Sequence, residues 1–334
     1  MKVKSIALAS GLSLNAITLP LWAQNLEPQQ RDSVMIDIAG HQVTVVAGGL
    51  YDRYRSNPPL SVVATEAPDI DLSWFKGLEK KKVDMGFESY SPNFFYRNSR
   101  VTAVYTADLE KLRELIPAEV QEQVQPIQIW PGRGVVALTA FTYNYCDNDP
   151  YNEVALAIAT NKPGSSNLGP ISVIRQSLSD DLWGYVVKLP VNTEIAQVRG
   201  VVGYNLPKWL TGINRREDNK TVTYEILDSE TGKVDITLET KKLEELSNEE
   251  SMMTSNFTNA DKNGHLQTGY ATIRNLSHAS NSDEDSVKLT LNGGSLSTYI
   301  ESLKLGNLMK YEYVPHFQSA LYAPKPLEKM LAGD

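Results

Sequence analysis

The chain reads as a mainly β, α+β protein: an antiparallel barrel with a few peripheral helices. Three observations lead there. Strand patterns recur through most of the sequence after residue 100, helical patterns are few, and the strand–helix–strand rhythm of a parallel sheet is missing. With 41% hydrophobic and 22% charged residues in 334, the composition is that of a globular protein with enough chain for one large domain or two ordinary ones.

Residues 1–23 carry their own signature. Lys2 and Lys4 precede an apolar, small-residue run from Ile6 to Trp22 that ends at Ala23, the order of a secretory signal peptide. Ser10, Ser13, Asn15, Thr18 and Pro20 interrupt the run and shorten it below the ~20 residues a membrane span needs. Cleavage after Ala23 is expected, leaving no stable membrane insertion, and the two-lysine start suits a bacterial periplasmic or secreted protein.

Residues 24–91 form an N-terminal extension. Val34–Val46 alternates about an Ala-Gly-His turn and predicts a hairpin, and Arg53–Pro59 reads as loop. Two roles stay open for this segment, an arm packed on the main domain or a contact for a second subunit. The main domain, 92–334, predicts strands at Val101–Tyr105, Gly134–Tyr143, Val154–Thr160, Ser172–Arg175, Thr221–Leu227, Val234–Glu239, Leu266–Arg274 and Val287–Leu291. The turn Asp228–Lys233, containing Gly232, joins two of them as a hairpin. Asp108 predicts the N-cap of a helix burying Leu109, Leu112, Leu115 and Ile116. Ser295 or Ser297 caps a second helix burying Ile300 and Leu303.

Charge and motif content exclude several functions. Removing residues 1–23 takes away two lysines and no acids, so the formal charge moves from −8 to −10. Such acidity excludes a nucleic-acid partner, which needs a concentrated basic face; the one basic run, Lys80 to Lys82, is flanked by Glu79 and Asp84. Cys146 is the sole cysteine, so no intrachain disulfide forms, and it reads as a packing residue. His41, His265, His278 and His316 lie far apart without metal-ligand spacing. Gly200-Val-Val-Gly203 lacks the third glycine and the following helix of a dinucleotide site. No metal or cofactor is expected.

Two segments carry the chemistry. One is Asp149-Pro-Tyr151-Asn-Glu153-Val-Ala-Leu-Ala-Ile158, and the other is Gly200-Val-Val-Gly-Tyr204-Asn-Leu-Pro207-Lys208-Trp209-Leu210. With the stretch from Phe94 to Pro117, they resemble the acetoacetate decarboxylase-like superfamily. In that superfamily a carboxylate follows a Tyr-x step at a strand start, and a Gly-rich stretch later ends in Pro-Lys. The resemblance runs from about residue 92 to the C-terminus. It implies a conical β-barrel with an internal site, Lys208 forming a Schiff base with a keto acid, and Glu153 moving protons or orienting substrate.

The chemistry explains the residue types. A protonated imine is a far better electron sink than a ketone, and a lysine forms one only where the surroundings supply its neutral amine. The competing reading places Pro207 at the first position of a helix and Lys208 in solvent on its first turn. For Glu153 the competing reading is an edge-strand carboxylate in water.

The sequence departs from the superfamily in two places. Trp209 stands where the decarboxylases have a second lysine, so the amine relies on burial, to which the indole adds. The Gly-Arg-Glu of the superfamily is replaced by Gly200-Val201-Val202, with Arg199 on the other side. Both departures favour another imine-dependent lyase, of aldolase or dehydratase type, over simple decarboxylation. A substrate carboxylate calls for a guanidinium. Arg97 is preferred over Arg100 for it, and Tyr151, Tyr204 and Trp209 complete the expected binding residues. The rival reading is a noncatalytic barrel that binds a small molecule. Superfamily precedent and the N-terminal extension together favour a homo-oligomer.

Overall fold

In a computed structural model, residues 32–260 and 265–332 are described. The segment 1–23, expected to be a signal peptide, lies outside them. Seven strands close into a barrel in the order Ser251–Ala260, Leu266–Asn281, Leu308–Leu321, Asn93–Asp108, Arg133–Cys146, Tyr151–Ala159 and Asp181–Val191. Neighbours pair antiparallel except at the closing seam, where Thr254–Thr258 run parallel to Asp181–Tyr185. The expected antiparallel barrel is therefore mixed, with one parallel seam. A short strand, Lys208–Leu210, adds in parallel beside Leu189–Val191.

A four-stranded antiparallel sheet, Ile213–Glu217, Thr221–Leu227, Val234–Lys241 and Val287–Leu291, covers one outer wall. The alternation of the barrel strands explains the packing, because successive side chains point to opposite faces. Val136, Leu138, Ala140, Val154 and Leu156 face outward and are buried against Val222, Tyr224, Ile226, Ile236 and Leu238. The intervening Ala137, Thr139, Phe141, Ala155 and Ala157 face inward and stay only half-buried. The barrel thus keeps an accessible interior while its wall is sealed from outside.

Two helices plug the same outer core. Leu109–Glu114 is capped by Asp108, whose carboxylate accepts from the amides of Glu110 and Lys111, and it buries Leu109 and Leu112, with Ile116 following. Leu115 is left half-buried. In Ser295–Ser302 the N-cap is Gly294, and neither expected serine caps the helix. Strand Val234–Lys241 does so instead, with Asp235 accepting from the amides of Leu296 at 2.8 Å and Ser297 at 3.1 Å.

The expected strand at Ser172–Arg175 is a helix, Pro170–Leu178. Its β-branched residues looked like strand, but Pro170 at the first turn presets helical φ, and the side chains of Ile171 and Ile174 remain exposed. The N-terminal hairpin forms as read, pairing Ser33–Ile38 with His41–Val46. The expected loop at Arg53–Pro59 begins inside a short helix, Leu50–Tyr54. This segment packs on the barrel: the Leu50 amide donates to Asp149 at 2.7 Å and the Thr44 amide to Glu194 at 2.7 Å. No helix among the described residues is long and apolar enough to cross a membrane.

Candidate active site

Strand register assembles the site. Phe141 pairs with Glu153 and Tyr143 with Tyr151, so all four share the inward face. There they meet Phe95, Val191, Met253, Ile273 and Phe317, so that every one of the seven strands contributes a side chain to one aromatic-rich cluster. Tyr143 lies 4.6 Å from both Phe95 and Tyr151 between ring centroids and stacks on Phe141 at 5.5 Å. Glu153 is on a central strand and 7% exposed, which overturns the reading of a solvated edge carboxylate.

Lys208 reaches this interior from the end of a strained connection. After helix Glu194–Val198 the backbone widens into a π-helical turn, Arg199–Gly203, and then Asn205 adopts a left-handed φ of 52°. Lys208 opens a strand and not a helix, contrary to the Pro207 helix-start reading. Its aliphatic stem lies across Gly200, where a Cβ would come 2.6 Å from the lysine Cε. Only glycine leaves that path open. Lys208 Nζ sits 2.5 Å from Glu153 Oε2, with side-chain exposures of 8% and 9%, and 5.7 Å from the centroid of the Tyr151 ring. The Tyr143 hydroxyl donates to the other carboxylate oxygen at 3.3 Å. Burial, and then the charge of Glu153, pushes the phenols of Tyr143 and Tyr151 well above their ordinary range, so both remain O–H groups.

The other expected residues divide. Arg100 is 5% exposed and lies in the interior, against the Phe317 ring at 5.9 Å and bonded to Asn275 at 3.2 Å. Glu312 pairs with it, and the pair neutralises its charge. Burial alone would raise Glu312, but Arg100 and Lys310 outweigh that and hold its carboxyl at about 2. Arg97, the preferred candidate, is displaced by the irregular register between Phe95 and Asn98 and pairs with exposed Asp69 at 2.5 Å. It stands apart from the interior cluster. Trp209 alternates with Lys208 and packs with the outer core, near Lys188 at 5.9 Å, so the indole adds nothing to the burial of the amine.

Tyr204 is buried with Met85, Leu189 and Leu206. Burial pushes its phenol up to about 12, against the opposing charge of Arg199, and its hydroxyl finds no partner among the described residues. Cys146 is buried, and its thiol donates to the Asp149 carbonyl at 3.0 Å; burial pushes the thiol well up, so it packs and does not react.

One residue escaped assignment. Arg199 is 2% exposed and sandwiched by the rings of Tyr51 at 5.2 Å and Phe87 at 5.3 Å. It donates to Tyr51 Oη, Ser89 Oγ and Asn93 Oδ1 at 3.1–3.4 Å. Among the described residues no carboxylate lies within ion-pair distance of it, and its Nε is unpartnered. No local pattern in the sequence signals it, because its partners come from a distant part of the chain.

No family model and no curated protein sequence matches the chain. Solved structures do. An acetoacetate decarboxylase superposes with a TM-score of 0.50 and 13% identity, over 70% of this chain and 88% of that one. The acetoacetate decarboxylase of Legionella pneumophila gives 0.52 and 12%, over 70% and 86%. The enduracididine biosynthesis enzyme MppR, complexed with pyruvate, gives 0.50 and 12%, over 71% and 91%. At such identities the likeness is one of architecture: a closed seven-stranded mixed barrel with peripheral helices, which is the acetoacetate decarboxylase-like fold.

Proposed function

We propose that this chain is an imine-forming lyase that acts on a keto acid through Lys208, with Glu153 as its proton carrier. The observation that carries this reading is the 2.5 Å contact between Lys208 Nζ and Glu153 Oε2, buried inside an aromatic-lined barrel. A proton passed across that contact from the ammonium to the carboxylate frees the amine for attack. The amine attacks the keto carbon, the carbonyl oxygen leaves as water, and the resulting protonated imine accepts the electron pair of the breaking carbon–carbon bond, whose other fragment departs as CO2 or, in an aldol cleavage, as an aldehyde. Glu153, having given its first proton to the departing water, takes up another, from solvent or from the substrate hydroxyl in an aldol cleavage, and delivers it to carbon, and water then releases the product from Lys208. Tyr143 holds the carboxyl in place through its second oxygen.

Arg199 is the residue suited to the substrate carboxylate, since Arg100 already has Glu312 and Arg97 faces Asp69. With no second lysine beside Lys208, aldol cleavage or dehydration fits this site as well as decarboxylation. We read residues 1–23 as an export signal, a reading under which the reaction runs in the periplasm or outside the cell.

A noncatalytic binding barrel is the second reading, and the same ion pair favours it, because a carboxylate in contact with an ammonium stabilises the unreactive form. Borohydride reduction separates the two. Protein incubated with pyruvate or acetoacetate and borohydride is expected to gain a mass adduct that peptide mapping assigns to Lys208 and that Lys208→Ala lacks. An unmodified Lys208 with every keto acid tried, together with unchanged ligand binding by Lys208→Ala, would leave only the binding barrel.

A further inference from the structure

We propose that the helix Pro170–Leu178, with Trp130 beside its first turn, is a docking face for an anionic lipid bilayer. A surface helix ordinarily buries its apolar stripe and turns its polar side to water. This one is inverted. On its inner side Ser172 is buried and its hydroxyl accepts from the Leu168 amide, while the Gln176 side chain donates to the Thr160 carbonyl and accepts from the Trp183 amide, each contact at 2.9 Å. Its outer side carries Ile171 and Ile174, each 57% exposed, and Leu178 at 81%. Positions 171, 174 and 178 fall on one stripe of an α-helix, about 10 Å long.

The stripe does not stand alone. Trp130, 52% exposed, lines one groove with Gly169 and Pro170, which brings the indole to the end of the helix where the stripe begins, and Leu168 there is 45% exposed. Of the twelve exposed large apolar side chains among the described residues, these five gather at one helix and the groove at its head; scattered singly, they would call for no partner. Charge selects that partner. Residues 123–146 and 154–179, which include the groove's Trp130 side and the whole helix, contain no Asp or Glu, in a chain of formal charge −8. Their charged residues are Arg133, Lys162 and Arg175. Arg175 is exposed between Ile171 and Leu178 and has no carboxylate partner among the described residues, and Arg113, the cation of the groove, is paired with Glu110. Indole, aliphatic side chains and cations free of acids are what a bilayer surface takes up: the ring sits at headgroup level, the aliphatic groups enter the acyl boundary, and the cations meet anionic headgroups.

A second copy of the chain is the competing occupant, and charge argues against it. In a two-fold pairing about Ile174 each Arg175 would meet its own image, with no carboxylate in either segment to offset it. Neither Lys208 nor Glu153 belongs to this face, so the docking is independent of the imine chemistry.

Vesicle flotation tests the face, using the chain from Gln24 so that the apolar run in residues 1–23 cannot bind lipid in its place. Vesicles of phosphatidylcholine and phosphatidylglycerol, in a ratio of about 3:2, should carry the chain upward, and pure phosphatidylcholine should bind it at least about tenfold more weakly. Leu178→Ser should weaken binding to the anionic vesicles about tenfold. Arg175→Gln should weaken it about fivefold. Both side chains are exposed, so circular dichroism of the variants should match the native chain. Absence of flotation with anionic vesicles, equal flotation with both lipids, or native-like flotation of both variants would overturn the proposal. Light scattering that shows a dimer which Leu178→Ser dissolves would also overturn it, by assigning the face to a second copy.

Discussion

Among the described residues, two buried lysine–carboxylate pairs share the same 2.5 Å contact, and their surroundings differ. Lys80–Asp147 is saturated. Asp147 also accepts from the Phe94 amide at 2.6 Å and the Tyr96 hydroxyl at 2.8 Å, while Lys80 donates to the Ser56 carbonyl at 2.8 Å and lies 4.4 Å from the centroid of the Phe94 ring. Burial draws the lysine down and the carboxyl up, and each partner opposes the shift in the other. Lys208–Glu153 has one further hydrogen bond, the Tyr143 contact at 3.3 Å. Lys208 Nζ has no other hydrogen-bond acceptor among the described residues. A closed network fixes structure, whereas an open one leaves donor and acceptor capacity for a substrate.

Breaking each pair should therefore have unequal consequences. Asp147→Asn strands Lys80 inside the packed seam between the N-terminal segment and the barrel, and should cost about 3–5 kcal/mol. Glu153→Gln leaves Lys208 an amide oxygen to donate to, in a network with only one further hydrogen bond, and should cost only about 1–3 kcal/mol. Urea unfolding of both variants measures the difference. Equal losses would mean that the two networks are both structural.

A third pair, Arg100–Glu312, sharpens the comparison through pH. With its folded value near 2 against an ordinary 4.5, Glu312 adds stability that is fully present above the ordinary value and disappears as pH falls toward 2. The contribution is at most about 3 kcal/mol. Unfolding free energies taken across that acid window should fall for the native chain. Glu312→Gln should flatten the slope, because no proton then distinguishes folded from unfolded at that position.

Much of this arrangement was legible beforehand, for particular reasons. Strands with strict alternation, such as Thr221–Leu227 and Val287–Leu291, could be read because one face is buried and one is not. Ser251–Ala260 and Leu308–Leu321 were passed over because they carry polar or aromatic residues on the barrel's inward face, which blurs the period of two, and Asp181–Val191 because its register breaks midway, opposite Leu156 and Ala157. The helix at Pro170–Leu178 was misread because β-branched residues dominated its centre. At the candidate site, Lys208 and Glu153 could be read together from two short motifs that carry the superfamily resemblance, and the fold brings the two side chains into contact. Arg97 was preferred over Arg100 because a spacing argument cannot see a bulge, and the register breaks at that point. Arg199 depends on Tyr51, Phe87 and Ser89 from a distant part of the chain, which no local pattern reveals.

Among the described residues the glycine under Lys208 has no counterpart under Lys80, and it offers a way to move one amine alone. Gly200→Ala would push the lysine stem aside, since the new Cβ would come 2.6 Å from Cε. Displacement by even part of an ångström should slow borohydride-trapped adduct formation roughly 10- to 100-fold. The Lys80 pair, and with it most of the stability, should be untouched. A variant trapped as fast as the native chain would show that Lys208 does not need this path.

The smallest effect is expected at Trp209. If the indole kept the amine dry, Trp209→Phe would slow adduct formation; but strand alternation sends it to the opposite face, into the core shared with Tyr185, Tyr299 and the covering sheet. Its loss should register as about 1 kcal/mol in an unfolding experiment and less than about a twofold change in adduct rate. The two readouts must separate for the inward face to be the reacting one. A large rate effect without a stability effect would mean that the indole reaches the amine during turnover, and the saturated and open pairs could then no longer be told apart by their static partners.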